Sequence, residues 1–224
     1  MLAADRSSTP QSAHALEELC RAYWFPLYVY VRRRGYSKED AEDLTQAFFT
    51  TLLEKNHLAS LNSERGRFRA FLLASLKHFL ANEWDKSQCQ KRGGGIPHLS
   101  LDWQTADTKF QVAATNEPEP DQAFDREWAQ TLLAKVIGRL ENENEMAGRG
   151  KQFTQLKSFL TVGGNESSYR EAAKNLNADE TAVRVAVHRL RKRYRQLLRE
   201  EISQTLSDPA DLEEEMRALF KAFA

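Results

Sequence analysis

An all-α fold of two small helical domains joined by a flexible linker is what this sequence predicts. Three observations predict it. Apolar residues recur at helical spacing over two long stretches, 15–92 and 124–205. The sequence lacks alternating β-branched runs punctuated by tight-turn dipeptides, the signature of strands. Between the two stretches, residues 93–123 carry Gly93-Gly94-Gly95, Pro97, Pro118 and Pro120 with little periodicity, which is linker composition. A length of 224 residues accommodates one large domain or two small ones. A mean hydropathy of −0.63 fits small domains with much surface.

The first block opens with Leu16, Leu19, Cys20, Tyr23 and Trp24, and Pro26 is expected to break or kink the helix. The pattern resumes at Leu27 and stops at Gly35, a natural C-terminal stop. Ser37 then reads as an N-cap, with Asp40 three residues on completing an approximate capping box. The helix it starts, 38–54, places Ala41, Leu44, Phe48 and Leu52 on one face. After Arg65-Gly66 another helix sets Phe68, Leu72, Leu76, Phe79 and Leu80 on one side and runs to about Lys86. The linker still holds Leu99, Leu101, Trp103 and Phe110, so parts of it are expected to dock on a domain or a partner.

In the second block, Phe124, Trp128, Leu132, Val136 and Leu140 mark one helix, and Phe153, Leu156, Phe159 and Leu160 another. A turn at Gly163-Gly164-Asn165 precedes the strongest motif. Tyr169 to Leu176 reads as a short helix capped by Ser167 or Ser168. Asn177 follows, a residue that tolerates the left-handed conformation of a tight turn. Asp179 can cap the next helix, which starts at Glu180 and runs to about Ile202. Ala173 is small where two helices must approach, and Val183 is apolar where the second packs back. This is helix-turn-helix spacing.

The second helix carries an apolar stripe of Val183, Val187, Leu190, Tyr194 and Leu197, and its other sides are basic. No acidic residue occurs between Arg184 and Arg199. Solvated faces usually mix signs, because like charges one turn apart repel. A face of one sign on such a helix points to phosphate contact. Thr181, Arg184, Val185 and His188 are the candidate base readers. Arg189, Arg191, Lys192 and Arg195 are the candidate phosphate holders. The final stretch, 206–224, reads as an acidic amphipathic tail. Asp208-Pro209 starts a helix whose Leu212, Met216, Leu219, Phe220 and Phe223 share an apolar face. That face is expected to dock on the basic second domain or on a regulatory partner.

The totals restrict the function classes. Net charge is zero, from 32 basic and 32 acidic residues, so the distribution rather than the sum carries the signal. Cys20 and Cys89 form neither a disulfide framework nor a metal cluster. The polar N-terminus lacks an apolar signal core, and no apolar run approaches the roughly 20 residues that span a bilayer. A cytoplasmic protein without membrane association is expected. Nucleotide loops, nucleophile elbows and zinc-hydrolase motifs are missing from the sequence, so neither catalytic residues, nor a cofactor, nor a metal is expected.

The stretch Asp40-Ala41-Glu42-Asp43-Leu44-Thr45-Gln46-Ala47-Phe48-Phe49 resembles the polymerase-binding helix of bacterial RNA polymerase sigma factors of the extracytoplasmic-function type. By that resemblance Asp40, Asp43, Gln46, Phe49 and Thr50 face core RNA polymerase. Arg67-Phe68-Arg69-Ala70-Phe71-Leu72-Leu73 resembles the segment of the same family that reads and melts the minus-ten promoter element. The resemblance assigns Arg67, Arg69, Lys77, His78, Asn82, Trp84, Lys91 and Arg92 to that element. Aromatics beside cations suit this work, since flipped bases stack while cations hold the backbone. Tyr169-Arg170-Glu171-Ala172-Ala173 and the helix after it resemble the minus-thirty-five reader. His78, Asn177, Ala182 and Leu190 depart from the usual residues, which bears on promoter preference. The resemblance implies a promoter-reading subunit, with core RNA polymerase, promoter DNA and an anti-sigma or other regulatory protein as partners. The rival reading is a stand-alone helix-turn-helix regulator that binds an operator as a dimer. It accounts for the second block and leaves the first unexplained. A third reading, a polymerase-associated protein with degraded DNA contacts, keeps the Asp43 face and loses initiation.

Overall fold

The structure, a computed structural model, describes residues 10–54, 68–89, 110, 119–161, 166–206 and 208–223. Every regular element among them is helical, as the periodicity requires. The chain divides into two compact units, Met1–Gln130 with Thr205–Ala224, and Thr131–Gln204. This division differs from the composition-based one. The opening turns of the helix after the linker, and the tail, both belong with the first block.

In the first unit, α1 (Pro10–Arg33) and α2 (Lys38–Glu54) pack as neighbours, with α3 (Phe68–Cys89) against α2. Helix α1 continues through Pro26, so the proline does not break it. A mid-helix proline costs about 3 kcal/mol. Burial of Phe25, Leu27, Tyr28, Val29, Tyr30 and Val31 around it outweighs that cost. Gly35 ends the helix at φ +92°. Ser37 caps the helix as the sequence indicates: its Oγ accepts from the Asp40 amide at 3.1 Å and donates to Asp40 Oδ2 at 2.8 Å.

The core of this unit holds Phe48 and Leu52 of α2 and Leu72, Leu76 and Leu80 of α3. Tyr23 meets Phe68 edge to face at 5.3 Å, and Phe48 meets Phe79 at 5.7 Å. Phe110 of the expected linker docks beneath the Arg32 guanidinium at 4.6 Å. Helix α4 (Pro120–Met146) begins inside the expected linker, and its first turns bury Phe124 and Trp128.

The unit is completed by the tail. Asp208 accepts from the Ala210 amide at 2.8 Å and starts a 3-10 turn, Pro209–Asp211. The helix α9 (Leu212–Lys221) follows; the labels α5 to α8 belong to the second unit. The Phe68 amide donates to the Thr205 carbonyl at 3.2 Å. Leu219 is buried, whereas Phe220 and Phe223 stay exposed. The expected docking on the second domain is therefore corrected: the tail packs with the first unit, through an ion-pair network on Arg69.

The second unit contains the rest of α4, then α5 (Gly150–Leu156), α6 (Ser158–Thr161), α7 (Glu166–Leu176) and α8 (Glu180–Ser203). Val136, Leu140, Phe153, Leu156, Phe159, Val183, Val187, Leu190 and Leu197 form its core. Helix α7 begins at Glu166, so Ser167 and Ser168 lie inside it and do not cap it. Its C-terminus is a Schellman motif. Asn177 sits at φ 48°, the Ala178 amide reaches the Ala173 carbonyl at 3.0 Å, and the Asn177 amide reaches the Lys174 carbonyl at 3.2 Å. The expected outcome at this turn is asymmetric. Asn177→Gly should leave stability within a few tenths of a kcal/mol of the original, whereas Asn177→Val should cost about 1–2 kcal/mol. Urea denaturation checks it, and a valine variant of undiminished stability would deny the turn its left-handed residue.

Candidate nucleic-acid interface

Two interactions fix the start of α8. Asp179 accepts from the Thr181 amide at 2.9 Å, and hydrogen bonds from the Thr181 side chain and then from the backbone amides hold its carboxyl below the usual aspartate range. Val183 and Val187 anchor the inner face. Because a helix turns by 3.6 residues, Thr181, Arg184, Val185, His188, Lys192 and Arg195 then share the outer face, and all are exposed. Arg189 is exposed beside them. The large apolar Val185 is 45% exposed, suited to a thymine methyl.

Arg184 is pre-positioned. Its guanidinium lies 4.4 Å from the centre of the Tyr169 ring and bonds Glu180 Oε1 at 2.8 Å. Glu180 also lies 3.8 Å from Arg170. The sequence placed Tyr169 in the first helix of the helix-turn-helix motif, but its place beneath Arg184 depends on the angle between α7 and α8.

Not every cation of α8 faces outward. Arg191 donates twice to the Phe159 carbonyl, at 3.0 and 2.8 Å, and so closes the end of the preceding helical turns. In this conformation it is a structural anchor. Arg193 grips Glu143 of α4 at 2.6 and 2.9 Å, which holds that carboxylate below its ordinary range. Arg139 bridges Glu200 and Glu201 at 2.9 and 3.1 Å, and Lys135 adds a contact to Glu201 at 2.7 Å. The half-exposed pairs on Glu143 and Glu200 contribute up to about 1 kcal/mol each, whereas Glu201 is buried. Their effect is positional: the C-terminal half of α8 is clamped to α4, so its N-terminal half is presented as a rigid rod.

Two variants test the division of these residues into base readers and phosphate holders that the sequence suggests. Arg184→Ala should cost about 1–3 kcal/mol at a base pair it reads and relax sequence preference there. Lys192→Ala should weaken binding to all sequences alike and lower the salt slope by about one ion. Equal losses for both variants on every sequence would remove Arg184 as a base reader.

In the first unit the residues assigned to the minus-ten element fare unequally. Arg67, Lys91 and Arg92 lie outside the described residues. His78 and Asn82 are exposed, and Trp84 is 59% exposed. Lys77 is also exposed but bonds Asp121 at 2.6 Å. A cleft of about 800 Å³ brings Lys77 and Trp84 together with Tyr30, Arg34, Tyr36 and Asp121. The sequence reading passed over Tyr30, Arg34 and Tyr36, although the run Arg32-Arg33-Arg34-Gly35-Tyr36 was a visible signal. Arg69 is corrected. Its side chain is 11% exposed and is held by Glu215 and Asp125, so this conformation does not offer it to DNA.

The face assigned to core polymerase also divides. Asp43 is exposed, and Gln46 and Thr50 are half-buried, with Thr50 Oγ1 donating to the Gln46 carbonyl at 3.1 Å. Asp40 is exposed but bonds the capping Ser37. Phe49 is fully buried beside Phe48, 5.7 Å between ring centres, so its assignment as a partner contact is corrected to core.

Among the described residues, no group of His, Cys, Asp and Glu is placed to hold a metal ion, and no helix is long and apolar enough to cross a membrane. Compared with protein-family models, with curated proteins and with solved structures, the chain gives no match.

Proposed function

We propose that this chain is a sigma factor of the extracytoplasmic-function type, which binds core RNA polymerase and directs promoter-specific initiation of transcription. The observation that carries the reading is the helix-turn-helix whose exposed face, from Thr181 to Arg195, presents Arg184, His188, Arg189, Lys192 and Arg195 and no acid. The exposed acid Asp43 beside Gln46 on α2 supports a second, protein-binding surface, and the exposed His78, Asn82 and Trp84 support contact with melted DNA. The chain positions DNA and polymerase and performs no chemistry of its own.

Two separate DNA-contacting regions bind one promoter tightly only when something fixes their spacing, because effective concentration depends on geometry. The protein alone should therefore bind DNA weakly and with little sequence preference. With core polymerase it should direct initiation from a defined start. In vitro transcription with and without core polymerase, paired with footprinting, tests this. Tight protection of a palindrome by the protein alone would favour the dimeric regulator. Binding to core polymerase without initiation on any promoter of a genomic library would favour a polymerase-associated protein.

A further inference from the structure

The tail contact has the chemistry of a competitor. Arg69 Nε donates to Glu215 Oε1 at 2.8 Å and Nη2 to Oε2 at 3.2 Å, a two-pronged carboxylate clasp. Nη1 donates to Asp125 Oδ1, and the guanidinium lies 4.5 Å from the centre of the Trp128 ring. A guanidinium grips a phosphate through the same planar fork, so Glu215 stands where a backbone phosphate would. Two carboxylates share one cation, and the consequences differ between the partners. Burial disfavours the Arg69 charge, but the bonds to Glu215 and Asp125 more than compensate, and its pKa is raised. Burial pushes the Asp125 carboxyl up by more than Arg69 draws it down, and Glu215 adds to the rise. Two carboxylates thus face one guanidinium, whose planar fork can bond an anion.

The helix that carries Glu215 is short. Helix α9 has ten residues, below the roughly 12–15 at which an isolated helix becomes marginal. Leu219 is its one fully buried apolar side chain, while Phe220 and Phe223 remain exposed. Glu213 and Glu214, both exposed, add negative charge beside the clasp.

We propose that residues 205–223 form an inhibitory latch, in which Glu215 occupies Arg69 as a phosphate mimic and must be displaced before the first unit can grip single-stranded DNA. The proposal rests on the promoter-reading function above. It adds to that function a closed state of the free chain, in which the tail and the DNA backbone compete for one guanidinium.

The test uses the full chain with Glu215→Gln, which keeps the shape and removes the charge, and with the double variant Arg69→Met, Glu215→Gln. Removing Arg69 and Glu215 together is tolerated better than removing one, and Asp125, 38% exposed, can turn to water, so the double variant should fold. Amide hydrogen exchange across α9 is measured beside the affinity for a mixed-sequence single-stranded oligonucleotide. In Glu215→Gln, α9 should exchange roughly tenfold faster and the oligonucleotide should bind roughly tenfold tighter, the scale of one charge-assisted contact. The double variant should keep the fast exchange and lose the gain in affinity. Unchanged exchange in α9, faster exchange without tighter binding, or a gain that survives the loss of Arg69 would each overturn the latch. Failure of the function itself reads differently: no variant then supports initiation with core polymerase, whatever the exchange rates.

Discussion

Replacing Arg69 alone by alanine is expected to destabilise the first unit by about 3–5 kcal/mol, the cost of stranding a buried charge. The Glu215 side chain is 1% exposed, so without its partner it must ionise in the interior, take up a proton or pull α9 away from the unit. Asp125, 38% exposed, can turn to water and suffers less. Asp125→Asn should therefore cost much less than Arg69→Ala, and the raised pKa of Asp125 sets the sign of its pH dependence. A carboxyl whose folded pKa lies above its unfolded value stabilises the fold in its protonated form. That contribution is present below the ordinary aspartate range and is lost as pH rises through the folded pKa. The penalty from ionised Asp125 at neutral pH should accordingly be missing in the asparagine variant. Urea denaturation at neutral and acidic pH measures both effects. A loss below about 1 kcal/mol for Arg69→Ala would mean that Glu215 reaches solvent easily, and that the tail is held by something else.

Loss of association with core polymerase is the largest functional effect expected. Asp43→Lys combined with Gln46→Trp should abolish it while leaving helicity intact. Asp43 is exposed, and the α2 core residues Ala41, Phe48, Phe49 and Leu52 face away from it. Reversing one rim charge slows encounter, and bulk at the adjoining position prevents close packing. Phe49 is the informative control. Phe49→Ala should cost about 3–5 kcal/mol of stability through a cavity, so any loss of polymerase binding would accompany loss of fold. Normal affinity in the Asp43, Gln46 double variant would move the polymerase contact to another surface.

Local chemistry was legible in the sequence; long-range pairing was not. Ser37 with Asp40, Asp179, Asp208 with Pro209, and Asn177 each act on amides within a few residues, and each does what its residue type indicates. Helical periodicity likewise identified Leu72, Leu76, Val183, Val187 and Leu197 as buried. Periodicity failed where a polar residue turns inward. Arg191 and Arg193 look like their neighbours in a basic run, and only the positions of Phe159 and Glu143 turn them inward. Arg69 is the extreme case, since its partner Glu215 lies 146 positions away. Pro26 misled in the other direction. A proline rule local to the helix was overruled by the apolar packing around it. Phe49 was given to a partner because its motif includes an aromatic there, and burial gives it to the core instead.

The pairing of residues near either end of the chain also bears on synthesis. The first unit draws on Met1–Gln130 and on Thr205–Ala224, so the whole of Thr131–Gln204 is threaded between its two parts. A ribosome delivers the helix-turn-helix unit complete, with all its contacts in hand, while the earlier unit still waits for Leu219 and Glu215. At roughly 5–20 residues per second, that wait lasts several seconds. During it, the Arg69 guanidinium lacks the cover of Glu215. The first unit is thus expected to mature after the second, although most of it is translated earlier.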